Sequence, residues 1–452
     1  MKHIISTLVL ALPLAATPFA AVAQSPVLLR TFHNPTPAAG DSFGTAVAAM
    51  GSDRLLVGAP GSPSTNAGAV YLYHTNGTLL ATFTNPTQFY GFGYAITTLG
   101  SDRVVIGSSA ESVHLFTTNG VLVSTISGPA GPGGHGFGDF VAPFGNDKLL
   151  IGASYAVEPD ANGIGAAFLY STNGTLLSVF RNPDTNFQTP LGFCMAAFGN
   201  DRVLISANNN SPGSTHLFNT NGTLLTTITN PAPQADSHFG ISVAAVGTDR
   251  ILVGANSDDP LASDPGRVYV FNTNGALLNT ITHPYYGNSF GAQIVVLGKD
   301  RLVISAPLDS TTAVQCGSAY VFDINGALLT TINNPEPANF DHFGSLAPFG
   351  SQGVIIGVPA DDARATYAGS VYLFSIPTPP TPPSVAIQRT TTNTVVVSWL
   401  STATGFVLQQ NTNGLNSVNW SNVTAGVQTV GTNETLIVNP IGGSRFYRLV
   451  KP

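Results

Sequence analysis

Short apolar runs of four to six residues, each broken by turn residues, recur along most of the chain. One stretch, VYLYHTNGTLLATF at residues 70–83, reads as two strands around a turn. Val70–Tyr73 are β-branched, aromatic or apolar, and Leu79–Phe83 runs back antiparallel. Between them Asn76-Gly77 is a dipeptide favoured where a hairpin turn needs φ > 0. Near copies begin at Val113, Thr215 and Val268. The Asn-Gly-Thr triplet also spells a glycosylation acceptor, but turn chemistry accounts for it without a sugar.

A second mark travels with the hairpin: Phe43-Gly44, Phe92-Gly93, Phe137-Gly138, Leu191-Gly192, Phe239-Gly240, Phe290-Gly291 and Phe343-Gly344. The seven marks lie 45 to 54 residues apart. Each opens a run of small and apolar residues, then a turn that is Gly-x-Asp-Arg in five of the seven, then LLVGAP or a relative, a variable loop and the hairpin. Four short strands, a to d, in a unit of this length is the arithmetic of a propeller blade. The spacing therefore predicts an all-β, seven-bladed β-propeller over residues 27–376. Strand a, rich in Gly, Ala and Ser, suits a crowded axis. Strand b, as in Leu55-Leu56-Val57, is continuously apolar and reads as buried on both faces. Strand d stops at Asn-Pro, where proline ends ladder pairing. The last unit has SVYLF but no returning strand, whereas the chain opens with an orphan LLRTFHNP at residues 28–35. The orphan is expected to complete the seventh blade and so remove a free edge.

Phe-Gly followed about a dozen residues later by Val57-Gly58-Ala59-Pro60, with Ile304-Ser305-Ala306-Pro307 and Ile356-Gly357-Val358-Pro359 as variants, resembles the FG-GAP repeat. That repeat is the blade motif of integrin α-subunit propellers and of many exported bacterial proteins. In the blades of that family that bind calcium, an Asp-x-Asp-x-Asp-Gly loop joins strands a and b. Here the loop is cut to Gly-Ser-Asp-Arg or Gly-Asn-Asp-Lys, and a lone Asp cannot supply the six to eight oxygens calcium takes. Blade-loop calcium is not implied, and no cofactor is expected.

Residues 1–23 combine a basic start, an apolar run from Ile4 and a small-residue exit at Ala21-Val22-Ala23, the pattern of a cleaved secretory signal. No later segment is a long enough apolar run to span a bilayer. A secreted, extracellular or cell-surface monomer is the expectation, with the periplasm as the alternative. Only 9% of residues are charged and the net charge is −7, so there is no basic footprint for nucleic acid. Cys194 and Cys316 fall at non-equivalent places two units apart, which argues against a disulfide. Residues 377–384 form a proline-rich linker. Residues 385–452 hold both tryptophans, Trp399 and Trp420, and several short strands. They loosely resemble a small fibronectin-III-like or immunoglobulin-like β-sandwich.

The a-to-b and c-to-d turns are short and uniform, whereas the d-to-a and b-to-c loops are long and differ between units. Binding is expected on that variable face. Its polar residues are Asp41, His135, Glu158, Asp160, Asp236 and His238, and then Asp258, Asp259, Asp341, His342, Asp361 and Asp362. Joining Asp236-x-His238 with Asp341-His342 would give a metal or acid-base cluster, but their units are not adjacent and no ligand-like spacing is present. Loop carboxylates also begin turns without further purpose. The Asp-Arg pairs and the strand-c histidines, His114 and His216, read as structural. No His-Glu-x-x-His or phosphate loop occurs. The reading that follows is a non-catalytic exported binding or adhesion protein whose partner is an extracellular protein or glycan. The alternatives are a structural envelope protein and a carbohydrate-active enzyme.

Overall fold

The computed structural model describes residues 25–61, 67–86, 91–108, 112–128, 136–156, 165–183, 189–208, 213–233, 237–256, 265–285, 289–377, 384–391, 394–401, 406–412, 419–439 and 445–450. The chain divides into a unit over Ala23–Pro377 and a second that holds Thr378–Pro452. Among the described residues every regular element is a strand.

The first unit contains seven four-stranded antiparallel sheets, an all-β arrangement that fits a propeller. In the first sheet Val47–Met50, Arg54–Ala59, Ala69–His74 and Leu79–Thr84 follow one another as strands a, b, c and d. The sixth repeats the order with Ile294–Leu297, Arg301–Ala306, Ser318–Asp323 and Leu328–Asn333. The seventh draws a, b and c from Ser345–Phe349, Gly353–Val358 and Ser370–Ser375, and its d strand is Val27–His33 from the other end of the chain. Val27 pairs with Ser375 and His33 with Ser370, so the orphan strand does complete the last sheet.

The c-to-d hairpins differ from the expected turn in one respect. Gly77 has φ of 94°, but Asn76 is not in the left-handed region, and the pairing slips between Leu72 and Tyr73. Gly77 N donates to His74 O and His74 N to Thr78 O. This is a longer turn closed by a glycine bulge, with only the glycine needing positive φ. The Asn-Gly dipeptide serves both turn types, which is why it did not separate them.

The apolar run of strand b is buried, as its composition requires. The Phe of each Phe-Gly mark is buried and sits against two alternate rings of strand c in the same sheet, Phe43 on Tyr71 and Tyr73, Phe343 on Tyr372 and Phe374. Such tilted and edge-on pairs add to simple area burial. One apolar cluster runs between the first and seventh sheets, joining Phe43, Val57 and Tyr71 to Ile355, Val371 and Leu373.

Glycine sets how closely neighbouring sheets meet. A Cβ placed on Gly107 would stand 2.0 Å from the carbonyl oxygen of Gly138 in the next sheet, and one on Gly357 would stand 2.0 Å from that of Gly44. Arginines of the Asp-Arg turns reach the same way: Arg54 Nη2 donates to Ser101 O at 2.9 Å and Arg202 Nη2 to Thr248 O at 3.2 Å. Arg301 goes furthest, with Nη2 on Ser351 O and Nη1 on Ile376 O, both at 2.8 Å, and is 3% exposed. The short ion pairs to Asp53, Asp102, Asp147 and Asp201 are local and partly exposed, consistent with the structural reading of these turns.

The second unit has a four-stranded and a three-stranded sheet. Val397, Trp399 and Leu436 from one share a core with Leu408 and Leu449 from the other. Cys194 and Cys316 are free thiols.

Two stability predictions follow from these contacts. Gly107→Ala should cost about 3 kcal/mol or more in urea unfolding through overpacking alone. Gly120→Ala, at a turn with φ of 84° and nothing within 4 Å, should cost about 1 kcal/mol. Arg301→Ala should cost about 2–4 kcal/mol, because it strips two buried charged hydrogen bonds, against about 0.5 kcal/mol for partly exposed Arg103→Ala.

Candidate functional site

The d-to-a and b-to-c loops emerge at one end of each sheet, since strands d and b finish where a and c begin. Their shape comes from a clasp built on the Asn-Pro sequence. Proline ends strand d, and the preceding Asn turns its side chain inward across the loop. Asn34 Nδ2 donates to Asp41 Oδ2 at 2.8 Å, and that oxygen also receives Ala38 N. Asn334 and Ala338 treat Asp341 in the same way, at 2.8 and 2.6 Å. Asn230 uses Ser237 Oγ and Asn182 uses Thr189 O, each seven residues on. Consecutive sheets are then stitched by main chain. Gly40, Ser42 and Phe43 donate to Thr366, Tyr367 and Ala368, and Phe340, His342 and Phe343 to Val314, Gln315 and Cys316.

The residues expected on this face separate into three groups. His135, Glu158, Asp160, Asp236, Asp258 and Asp259 lie outside the described residues. Asp41 and Asp341 are clasp acceptors, and His238 is a buried loop residue with φ of 49° whose carbonyl receives Asn208 Nδ2. Asp341, His342, Asp361 and Asp362 all belong to the two loops of the seventh sheet. His238 is in the fifth sheet, so the described partners of the imagined four-residue cluster sit in different sheets.

At the seventh sheet the electrostatics are uneven. Asp341 is 1% and Asp361 5% exposed. Burial, and then the nearby Asp361 and Asp362 carboxylates, push Asp341 up to about 6 against the opposing hydrogen bonds from Ala338 and Asn334. Burial and then Asp361, Glu336 and Asp341 push the Tyr372 hydroxyl above the usual tyrosine range. His33 is lowered by burial and by Arg364, with Asp361 and Glu336 opposing, and His342 is lowered by burial. The imidazoles therefore favour the neutral form here while the carboxylates crowd. Both buried carboxylates are closed to a ligand as large as a sugar ring.

Two features of this face escaped the sequence. The first is a buried triad in the sixth sheet. His283 stands where other repeats have the clasp Asn, and its Nε2 meets both oxygens of Asp309 at 3.0 and 3.1 Å while Tyr320 OH donates to Asp309 Oδ2 at 2.5 Å. On its other side His283 Nδ1 meets both the main-chain N and the carbonyl O of Tyr285. The signal was the single change from Asn-Pro to His283-Pro284. The second is a set of exposed aromatic rings, Tyr94, Tyr155, Tyr285, Phe340 and Tyr367. Phe340 and Tyr367 have φ of 68° and 54°, and the place of Phe340 is taken in the first sheet by Gly40. His114 and His216, by contrast, are strand-c packing residues with both ring nitrogens engaged, to Ser112 and Thr125 and to Ser214 and Thr227.

The raised Asp341 has a consequence with a definite sign. The native state holds its proton more tightly than the unfolded chain does. Its stabilising contribution is full below about pH 4, the unfolded value, and is lost as pH rises through about 6. Thermal unfolding between pH 4 and 7 should therefore show a loss of stability with rising pH that is smaller in Asp341→Asn.

Comparison with known proteins bears on the repeats. Two segments, residues 35–73 and 225–271, match the family model of the FG-GAP repeat. Each ends in strand c, and the first runs from the loop that follows Asn34 through strands a and b of the first sheet. No curated protein matches the chain.

Proposed function

We propose that residues 27–376 form a seven-bladed β-propeller closed by the N-terminal strand, carried by an exported protein that binds or adheres without catalysis. Its partner is an extracellular protein or glycan, held on the d-to-a and b-to-c loop face. A small fibronectin-III-like or immunoglobulin-like sandwich follows a proline-rich spacer.

One observation carries the binding reading. Among the described residues, the five exposed aromatic rings, 48% to 57% exposed, all belong to this face. Rings of this kind supply rigid apolar area for a sugar face or a protein side chain. Two of them occupy left-handed backbone, where a bulky residue costs of order 1–3 kcal/mol that glycine avoids. Strain retained at a surface ring is accounted for by use of the ring. A second reading, assembly through the rim, is favoured by the aliphatic pairs that strand d exposes, such as Leu79-Leu80, Leu176-Leu177 and Leu277-Leu278.

The purified protein should bind a restricted set of targets on an array of glycans and surface extracts. Phe340→Gly combined with Tyr367→Gly should weaken that binding about tenfold or more while leaving the melting temperature unchanged or higher. Equal binding by both forms would remove the face from the reading, and self-association lost on Leu79→Lys would favour the rim. A bound glycan recovered in shortened form would mean an enzyme.

A further inference from the structure

The sixth and seventh sheets are close copies in their b-to-c loops. Residues 305–322 and 357–374 align without a gap, placing Asp309 on Asp361 and Tyr320 on Tyr372. The backbone agrees: Gly317 N donates to Asp309 O and Gly369 N to Asp361 O, both at 3.0 Å. The d-to-a loops of the seventh and first sheets are copies in turn, placing Asp341 on Asp41. Each carboxylate is accommodated where it occurs without the other. Asp309 has His283 and Tyr320, and Asp41 has Asn34 and Ala38.

Among the described residues, the seventh sheet alone carries both. Asn334 takes the place of His283 and serves Asp341 instead, so the b-to-c carboxylate loses that side-chain partner as a second negative charge is added. The Asn334 amide goes to Asp341 Oδ2, and Asp361 Oδ1 is met by Ala363 N at 2.8 Å. Asp341 Oδ1 and Asp361 Oδ2 are left buried with no hydrogen-bond partner. Asp362 and Glu336 add further negative charge nearby, against exposed Arg364 and a His33 that favours its neutral form.

Two sealed carboxylate oxygens without donors are a costly arrangement unless a positive charge lies between the loops that carry them. We propose that Asp341 and Asp361 hold a divalent cation of the calcium type between the d-to-a and b-to-c loops of the seventh sheet. Among the described residues no three His, Cys, Asp or Glu side chains converge as ligands. Main-chain carbonyls of the two loops therefore complete the oxygen shell that such an ion takes. With few charged ligands the affinity belongs to the weak extracellular class, Kd on the order of 10⁻⁴–10⁻³ M. The site lies at the opposite end of the sheet from the a-to-b turns. It lies between the same two loops that carry Phe340 and Tyr367, and its test does not depend on what those rings bind.

The test uses the full chain at pH 7.5, stripped with chelator and titrated with calcium and with terbium. One ion per chain should bind, terbium emission should be sensitised by the neighbouring tyrosines, and calcium tenfold above Kd should raise the melting temperature by about 2 °C. Asp361→Asn should abolish all three effects, whereas Asp53→Asn in the a-to-b turn should change none. The proposal is overturned if the unaltered protein binds neither ion, or if folded Asp361→Asn binds as before. It is equally overturned if binding is lost in Asp53→Asn instead. Should Asp361→Asn not fold, the terbium signal and stoichiometry of the unaltered protein, compared with Asp53→Asn, still decide.

Discussion

A backbone-to-backbone approach near the C-terminal end of strand b governs the first unit. Gly58, Gly107, Gly152, Gly254 and Gly357 each face the carbonyl of a Phe-Gly or Leu-Gly glycine in the following sheet, at a spacing that leaves no room for a Cβ. Neighbouring sheets therefore meet main chain to main chain there, and the Phe of each mark packs against strand c. The two short motifs of the repeat, Phe-Gly and Gly-Ala-Pro, are thus the two halves of one contact. Where serine replaces the strand-b glycine, its hydroxyl is turned back to strand a of its own sheet: Ser206 bonds Cys194, and Ser305 bonds Gln293 N.

That contact explains why the sheets were legible in the sequence. Period, strand length and glycine spacing are all local, and the exchange of Val27–His33 into the last sheet was visible as one strand missing and one left over. The loops were half legible. Asp41 and Asp341 were picked as face residues, and their burial as clasp acceptors depends on a turn that folds the chain back over seven residues. The pairing of Asp341 with Asp361 was not readable, because it joins two loops twenty residues apart. His283 was passed over for want of a periodic signal, and exposure of Tyr285 or Phe340 cannot be inferred where strand alternation has stopped.

The copies also show how a repeat protein acquires local chemistry. The same b-to-c backbone holds a His–Asp–Tyr network in one sheet and a pair of half-satisfied carboxylates in the next, through exchange of a few side chains on an unchanged frame. The frame is over-determined by main-chain bonds between sheets, so such exchanges are tolerated without loss of register. Strain at Phe340 and Tyr367 is tolerated for the same reason.

The exchanged strand has a mechanical meaning. Val27 and Ser375 are paired, so the two ends of the first unit leave from the same corner of the seventh sheet. Tension applied between those ends would load the Val27–His33 ladder one bond at a time, as a zipper, and not all together as a sheared sheet. The resisting element at that corner is Arg301 of the sixth sheet, whose guanidinium holds the outgoing carbonyl of Ile376. A protein tethered at one end and pulled at the other would thus meet its first barrier at a single buried side chain rather than at a strand.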